Sequence, residues 1–366
     1  MNYLYFWYIE LLNKYHIPKL FGDITFPVLP FCIVAASIIL AVLFLVLAER
    51  KILGLFTQRK GPNRVGIWGI MQTVADAIKL LFKQNLDPRG ADKILYNAAP
   101  ILVFVPAMIL WGIIPYSSEF FFMNFSVSAL LYISIAALPV IGIILAGYAS
   151  NNKFSLIGAI RSGAQVISYE LPTMFVLLTV VLLSSSMNLK DIVFSQVGNL
   201  SILNWHFVPC FLGFIIMFIC VLAELNRCPF DLPEAESELV AGYNTEYSGM
   251  RFALFFLAEY AMMFIMCAFL VSLFFGGFLP VTTKYISEIL FADSQFLQLF
   301  IYIEQVIWLM LKTLVLVFVV MLVRATLPRL GSKELMKLSW YILLPLSMLN
   351  FIATALIKFY IDGGAI

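Results

Sequence analysis

The chain has 366 residues, 62% of them hydrophobic and 12% charged, with a formal net charge of +2. So little charge excludes an ordinary soluble domain, and the near-neutral balance argues against a nucleic-acid partner. Two histidines (His16, His206) and five separated cysteines (Cys32, Cys210, Cys220, Cys228, Cys267), with no Cys-x-x-Cys spacing, leave no ligand set for an iron–sulfur cluster, structural zinc or a bis-His haem inside a bundle.

A membrane span needs ~20 predominantly apolar residues. Eight such stretches are present, at about 27–48, 97–115, 127–149, 164–186, 205–225, 250–278, 297–323 and 338–360. The expected fold is therefore an all-α polytopic membrane protein, with 1–366 forming one integral domain. No cleavable signal or transit peptide is recognisable, so the first span is expected to target the chain. Residues 1–26, rich in aromatics (Tyr3, Tyr5, Phe6, Trp7, Tyr8), read as an interfacial helix on the outer surface. With the 48–96 connector on the inside, 17 of the 23 Lys and Arg fall in inner connectors and five in outer segments, while Lys312 lies within a span. By the positive-inside bias both termini then face outward.

The first span runs into Ala48-Glu-Arg-Lys and then Gln58-Arg-Lys-Gly-Pro-Asn. Lys51, Lys60 and Arg64 fit a positive-inside anchor as well as any specific role. Glu49-Arg50 is a charge pair at the membrane boundary, placed to line a polar entrance, and Gly61-Pro62 is expected to break the helix. Residues 68–84 are too short and too polar to span. Gln72, Asp76, Lys79 and Lys83 share one helical face, with Met71, Val74, Ile78, Leu81 and Phe82 on the other, which predicts an amphipathic helix at the inner interface. Asp76 either pairs with Lys79 or points into the bundle.

Inside the predicted spans stand Glu170 (after Ser168-Tyr169), Glu259, Glu304 and Lys312. An ionisable group in lipid is costly unless neutral, paired or functional. Glu170 and Glu259 are candidates for carrying protons. Glu304 and Lys312, eight residues apart, are too distant to meet, and Lys312 has no assigned partner. Arg324, at the inner end of the seventh span, either snorkels or lines a polar cavity.

The densest charge is at 224–251, where Glu224, Asp231, Glu234, Glu236, Glu238 and Glu246 account for six of the 21 carboxylates. Pro229 and Pro233 bracket Phe230-Asp-Leu, so the chain leaves the fifth span and restarts. Asp231 and Glu234 fit a helix-capping box, which leaves Glu236 and Glu238 unexplained. Glu234 and Glu238 repel at i,i+4, so titration of this acidic inner loop (226–249) is expected to be coupled.

These motifs resemble the membrane subunit that borders the quinone site of NADH:quinone oxidoreductase, respiratory complex I (the H-type subunit in bacteria, subunit 1 in mitochondria). The resemblance runs nearly end to end. It is carried by Ala48-Glu-Arg-Lys, Gln58-Arg-Lys-Gly-Pro-Asn, Ala75-Asp-Ala, Ser168-Tyr-Glu, Asn226-Arg, Pro229-Phe-Asp-Leu-Pro-Glu-Ala-Glu-Ser-Glu-Leu-Val-Ala-Gly-Tyr-Asn, Glu246-Tyr, Ala258-Glu-Tyr and the segment from Arg324 to Arg329. It implies eight spans and a quinone substrate, ubiquinone or menaquinone, entering through a tunnel walled in part by Glu49, Arg50, Arg59, Phe230 and Arg324. It also implies a carboxylate chain for proton relay formed by Asp76, Glu170, Glu224, Asp231, Glu234, Glu236, Glu238 and Glu259, with Tyr169 and Arg227 beside it. No cofactor is expected on this chain; iron–sulfur clusters and FMN belong to partner subunits. Those partners are the peripheral-arm quinone-site and iron–sulfur subunits, and the small membrane subunits leading to antiporter-like pumps. The wording of Gly61-Pro-Asn-Arg-Val-Gly and Gly90-Ala-Asp-Lys favours a bacterial plasma membrane over the mitochondrial inner membrane. A related hydrogenase or ferredoxin-driven complex, and a stand-alone ion transporter, are the alternative readings. The 279–300 segment and the N-terminal extension are less like the family.

Overall fold

In lipid, apolar runs this long satisfy their backbone groups only as helices or closed barrels, and this chain takes the helical solution. The computed structural model describes residues 19–198, 201–233, 240–281, 285 and 297–361, with side chains described from residue 32 onward apart from 201–202 and 361. Among these residues there are helices and turns and no strand. In chain order the helices are α1 (Lys19–Phe56), α2 (Met71–Phe82), α3 (Lys93–Ile113), α4 (Ser128–Ala136), α5 (Pro139–Ala149), α6 (Lys153–Ser184), α7 (Leu189–Phe194), α8 (Phe211–Glu224), α9 (Gly249–Phe274), α10 (Leu297–Thr326), α11 (Ser332–Lys337) and α12 (Leu344–Ile361). Seven helical segments are long and apolar enough to cross a membrane, with α4–α5 and α11–α12 each counted as one; α8, at 14 residues, is a shorter apolar helix.

Helix α9 is the axis of the bundle. Every residue from Met263 to Phe274 is buried, and α9 packs against α1, α3 and α10. Helix α6 organises a second group with α5, α8 and α12. The α5–α6 approach is close, because a Cβ on Gly147 would lie 2.3 Å from Cβ of Ala159.

Several boundaries differ from expectation. Helix α1 passes through Pro27 and Pro30 and ends at Phe56, five residues before Gly61-Pro62. The stop is a local C-terminal turn: Gln58 takes a left-handed φ of 53° and the Arg59 N–H donates to the Gly54 carbonyl at 2.8 Å, bringing the backbone so close that a Cβ on Gly54 would sit 3.0 Å from the Arg59 carbonyl oxygen. The predicted span 127–149 is divided at Ala137–Leu138, because Pro139 offers no N–H and so begins a helix rather than continuing one. Helix α6 starts at Lys153, capped by Asn152, whose side chain accepts from the Phe154 N–H. Its small residues Gly158, Ala159, Ser162 and Gly163 are buried, so its polar first half is a packed helix. The fifth span is shorter than expected, with Trp205 and His206 in the loop before α8.

Helix α2 turns Met71, Ile78, Leu81 and Phe82 outward, between 48% and 86% exposed. The interfacial helix expected at the N-terminus lies largely outside the described residues, as do Glu234, Glu236, Glu238 and most of the 279–300 segment.

The loop on either side of those acids is anchored. Gly158 of α6 packs directly under it, and a Cβ there would meet Cα of Gly242 at 3.0 Å and the Pro233 carbonyl oxygen at 3.2 Å. Further along, the Tyr96 and Tyr247 rings stack at 4.2 Å, and the Tyr96 hydroxyl donates to the Glu246 carbonyl at 2.7 Å. The Glu246 carboxylate accepts from Asn152 Nδ2 at 2.7 Å, so this acid is hydrogen-bonded rather than merely adding negative potential. The Arg251 guanidinium donates to Asp87 and holds that carboxyl below its ordinary range. A depressed carboxyl contributes its tie above the unfolded value and loses it as pH falls, so this clasp persists at neutral pH and opens only in acid. Replacing Gly158 with Val is expected to lower the stability of the assembled protein by about 1–3 kcal/mol through overpacking. Thermal melting of the purified complex, against Gly158→Ala, measures it.

Candidate functional site

Four elements converge on a buried ionic chain near the inner connectors. Glu49 of α1 is 3% exposed and accepts from Arg227 Nη1 at 2.6 Å and from Arg324 Nη1 of α10. Arg227, just beyond α8, is 2% exposed and carries its other nitrogen, Nη2, 2.9 Å from Glu259 Oε1 of α9. The order is Arg324–Glu49–Arg227–Glu259, two cations alternating with two anions. The Arg227 guanidinium also lies over the Tyr260 ring, 4.4 Å from its centre. Burial opposes the Arg227 charge, but Glu259, Glu49 and Tyr260 more than offset it and raise the pKa, so the guanidinium stays cationic.

Glu49 and Arg50 do not act as a pair: successive residues on a helix point about 100° apart, so Glu49 faces the bundle while Arg50 reaches α2 and pairs with Asp76 at 2.5 Å. Asp76, in turn, neither pairs with Lys79 nor points inward. It bridges Arg50 and Gln72 Nε2, the latter at 3.1 Å, in a half-exposed contact of modest strength. Arg324 lines the polar site through its bond to Glu49. Asp231 accepts from Arg329 Nη2 at 2.8 Å, which ties the start of the acidic loop to the end of α10.

Other candidates scatter. Arg59 is exposed. Phe230 is buried edge-on against Tyr169, at 5.6 Å, and the Tyr169 hydroxyl donates to the Leu335 carbonyl at 3.0 Å. Both residues therefore serve the core between α6, α11 and the loop. Gln165 has more to do than its sequence indicated: its Nε2 donates to the carbonyls of Ala223 and Phe230, each at 2.7 Å, and so fixes the turn that presents Arg227. A buried amide in α6 gave no sequence signal of that role. Tyr260 had one, its place directly after Glu259.

Of two neighbouring cavities, the first adjoins the ionic chain at Glu259 and the second does not touch it. One, about 60 Å³, is bordered by Glu224, Asn226, Tyr243 and Glu259. The other, about 10 Å³, is bordered by Tyr132, Glu170, Thr173 and Glu224. They share Glu224, Ala136, Val166 and Met266. The first is large enough for a few waters and the second is near the lower limit for one. Outside the bundle, an apolar groove of about 630 Å³ runs between α1 and α2, from Leu40 and Phe44 to Lys51, Trp68 and Val74. Among the described residues, no group of three or more His, Cys, Asp or Glu is placed to hold a metal ion.

A family model described as NADH dehydrogenase matches residues 29–355. The chain belongs to the NADH dehydrogenase family. It is 45% identical over 336 residues to the H-type subunit of NADH-quinone oxidoreductase from Brevibacillus brevis, covering 90% of this chain and 94% of that protein. It is 46% identical to the Geobacillus protein of the same name over 314 residues (86% and 88%) and 43% identical to that of Rickettsia typhi over 356 residues (97% and 98%). Membership makes this chain a membrane subunit of a proton-pumping NADH:quinone oxidoreductase. Its long apolar helices and its bacterial relatives mark an integral bacterial inner-membrane protein. The expectation of this family from the residue motifs agrees with these matches.

Proposed function

We propose that this NADH dehydrogenase family subunit walls part of the quinone tunnel and links quinone reduction to proton movement through its carboxylates. All eight apolar stretches span, with 68–84 on the inner surface and both termini outside; the inward placement of most Lys and Arg supports this. Quinone enters from the bilayer along the α1–α2 groove, whose 630 Å³ of almost wholly apolar lining suits an isoprenoid chain. Its headgroup is reduced by partner subunits next to Arg50, Arg324 and the loop around Asp231. Those partners carry the iron–sulfur clusters and FMN, and small membrane subunits pass the protons on.

The observation that carries the coupling reading is the pair of cavities meeting at Glu224. It offers Glu259 and Glu170 a common neighbour, with room for water on both sides. A charge change at the headgroup alters the pull of Arg324 on Glu49. Glu49 and Glu259 hold Arg227 together, through Nη1 and Nη2, so a shift of Glu49 toward or away from Arg324 moves the shared guanidinium relative to Glu259 and with it that acid's tendency to hold a proton. Glu224 then relays to Glu170. The family resemblance supports adding Glu234, Glu236 and Glu238 to this relay. The two-state element such coupling requires is the position of Arg227 between the two carboxylates.

The entry half is tested by filling the groove. Ala48→Trp is expected to raise the KM for a long-chain quinone about tenfold (roughly 1.4 kcal/mol of binding), with less effect on a short-chain analogue. A long-chain KM unchanged from wild type in the assembled variant, or an equal rise for both quinones, would remove the groove from the path.

A further inference from the structure

Lys312 sits midway along α10 and has no part in the relay above. The last carbonyls of α9 find partners in Phe275, Gly277, Gln196, His206 and Phe207, whereas those of the loop just beyond it are gathered on one point. The chain turns through Gly276 and Gly277, with φ of 68° and 48°, and three carbonyl oxygens converge. Lys312 Nζ lies 2.7 Å from that of Phe275, 3.0 Å from that of Gly277 and 2.6 Å from that of Leu279. The buried Trp205 ring closes a further side, 4.4 Å from Nζ.

This cage is held by contacts that do not involve the lysine. Gln196 Oε1 accepts from the N–H groups of Gly276 at 2.9 Å and His206 at 3.3 Å. Gly276 packs so tightly on Trp205 that a Cβ would lie 2.8 Å from the indole nitrogen. Three acceptors require three donors, which an ammonium has and a neutral amine lacks. The aromatic face adds a further attraction for a cation. Converging carbonyls with an aromatic wall are the chemistry that replaces the hydration shell of a small monovalent cation.

We propose that the carbonyls of Phe275, Gly277 and Leu279 with the Trp205 ring form a binding site for a monovalent cation of the ammonium class, occupied in cis by Lys312. The site pins α9 to α10 at the end away from the ionic chain. Along α10, Lys312 and Arg324 are 12 residues apart, about 18 Å of helix. The ammonium therefore sets the register in which Arg324 meets Glu49 and Glu259 meets Arg227. Lys312 is a positioning residue. The cage stands without the coupling reading, whereas the positioning role rests on it.

The test compares the intact purified complex carrying Lys312→Met with wild type. K312M is expected to melt several degrees lower and reduce quinone several-fold more slowly. Methylammonium chloride should restore both, potassium chloride less well, and tetramethylammonium chloride, which offers no N–H, neither. Lys312→Arg, which keeps a charged donor, should retain an intermediate rate. If K312M does not assemble, Lys312→Gln supplies N–H donors without charge and carries the same titration; if neither assembles, growth with methylammonium should restore assembly. Wild-type behaviour of K312M, or a defect that none of the N–H-bearing or alkali cations relieves, overturns the site. Melting restored without the rate keeps the cation site and overturns the positioning role, independently of the relay.

Discussion

Replacing Arg227 with Met is expected to leave little or no assembled, active complex. The substitution removes the cation between two carboxylates. Glu49 keeps Arg324, but Glu259 loses its ion-pair partner among the described residues. Breaking a buried pair by deleting one partner costs about 3–5 kcal/mol, because the remaining charge stays desolvated. That is a large part of the ~5–15 kcal/mol stability of an ordinary protein. Arg227→Lys should be intermediate: it restores one positive charge, but a single ammonium lacks the fork by which the guanidinium reaches Glu49 and Glu259 together. Yield and melting temperature of the purified complex give the readout. Wild-type values for R227M would show that the alternating chain contributes no net stability.

The second large effect is expected at Glu224. Glu224→Gln keeps the size and hydrogen-bonding capacity of the side chain and removes its ability to carry a proton. If both cavities conduct through this residue, quinone reduction and proton translocation fall together by at least about tenfold, equivalent to ~1.4 kcal/mol or more on the barrier. Glu224→Asp retains the carboxyl at a shorter reach and should recover part of the loss. The measurement is NADH-driven quinone reduction with proton uptake in proteoliposomes. Normal rates and a normal proton-to-electron ratio in E224Q would exclude Glu224 from the path. Normal quinone reduction without pumping would keep Glu224 on the path and refute obligatory coupling.

How far the site was legible from sequence can be seen residue by residue. Glu259 and Glu224 stood out because a carboxylate in or beside an apolar run demands an explanation. Arg227 read as a neighbour of the acids, yet it is the hinge of the ionic chain, since its partners come from Glu49 and Glu259, far away in sequence. Asp76 was read through its nearest helical neighbour, Lys79, while its partner is Arg50, 26 residues earlier. Lys312 stayed unexplained because its partners are backbone carbonyls, and every residue type has those. The end of α1 differs for a local reason: the helix closes at Gln58, a non-glycine residue in a left-handed conformation, before the chain reaches Gly61-Pro62.

The sequence alone determined the membrane class, the helical fold and the family. Those follow from local quantities: the length of apolar runs against the thickness of a bilayer, the bias of Lys and Arg, and a specific run of acids. Only the tertiary structure decided which charge meets which, that Glu224 borders both cavities, and that Lys312 fills a carbonyl cage. The ion pairs and the cage depend on groups from separate parts of the chain meeting within 3 Å or so, and the cavities on how the helices pack around Glu224. No one-dimensional period encodes such a meeting.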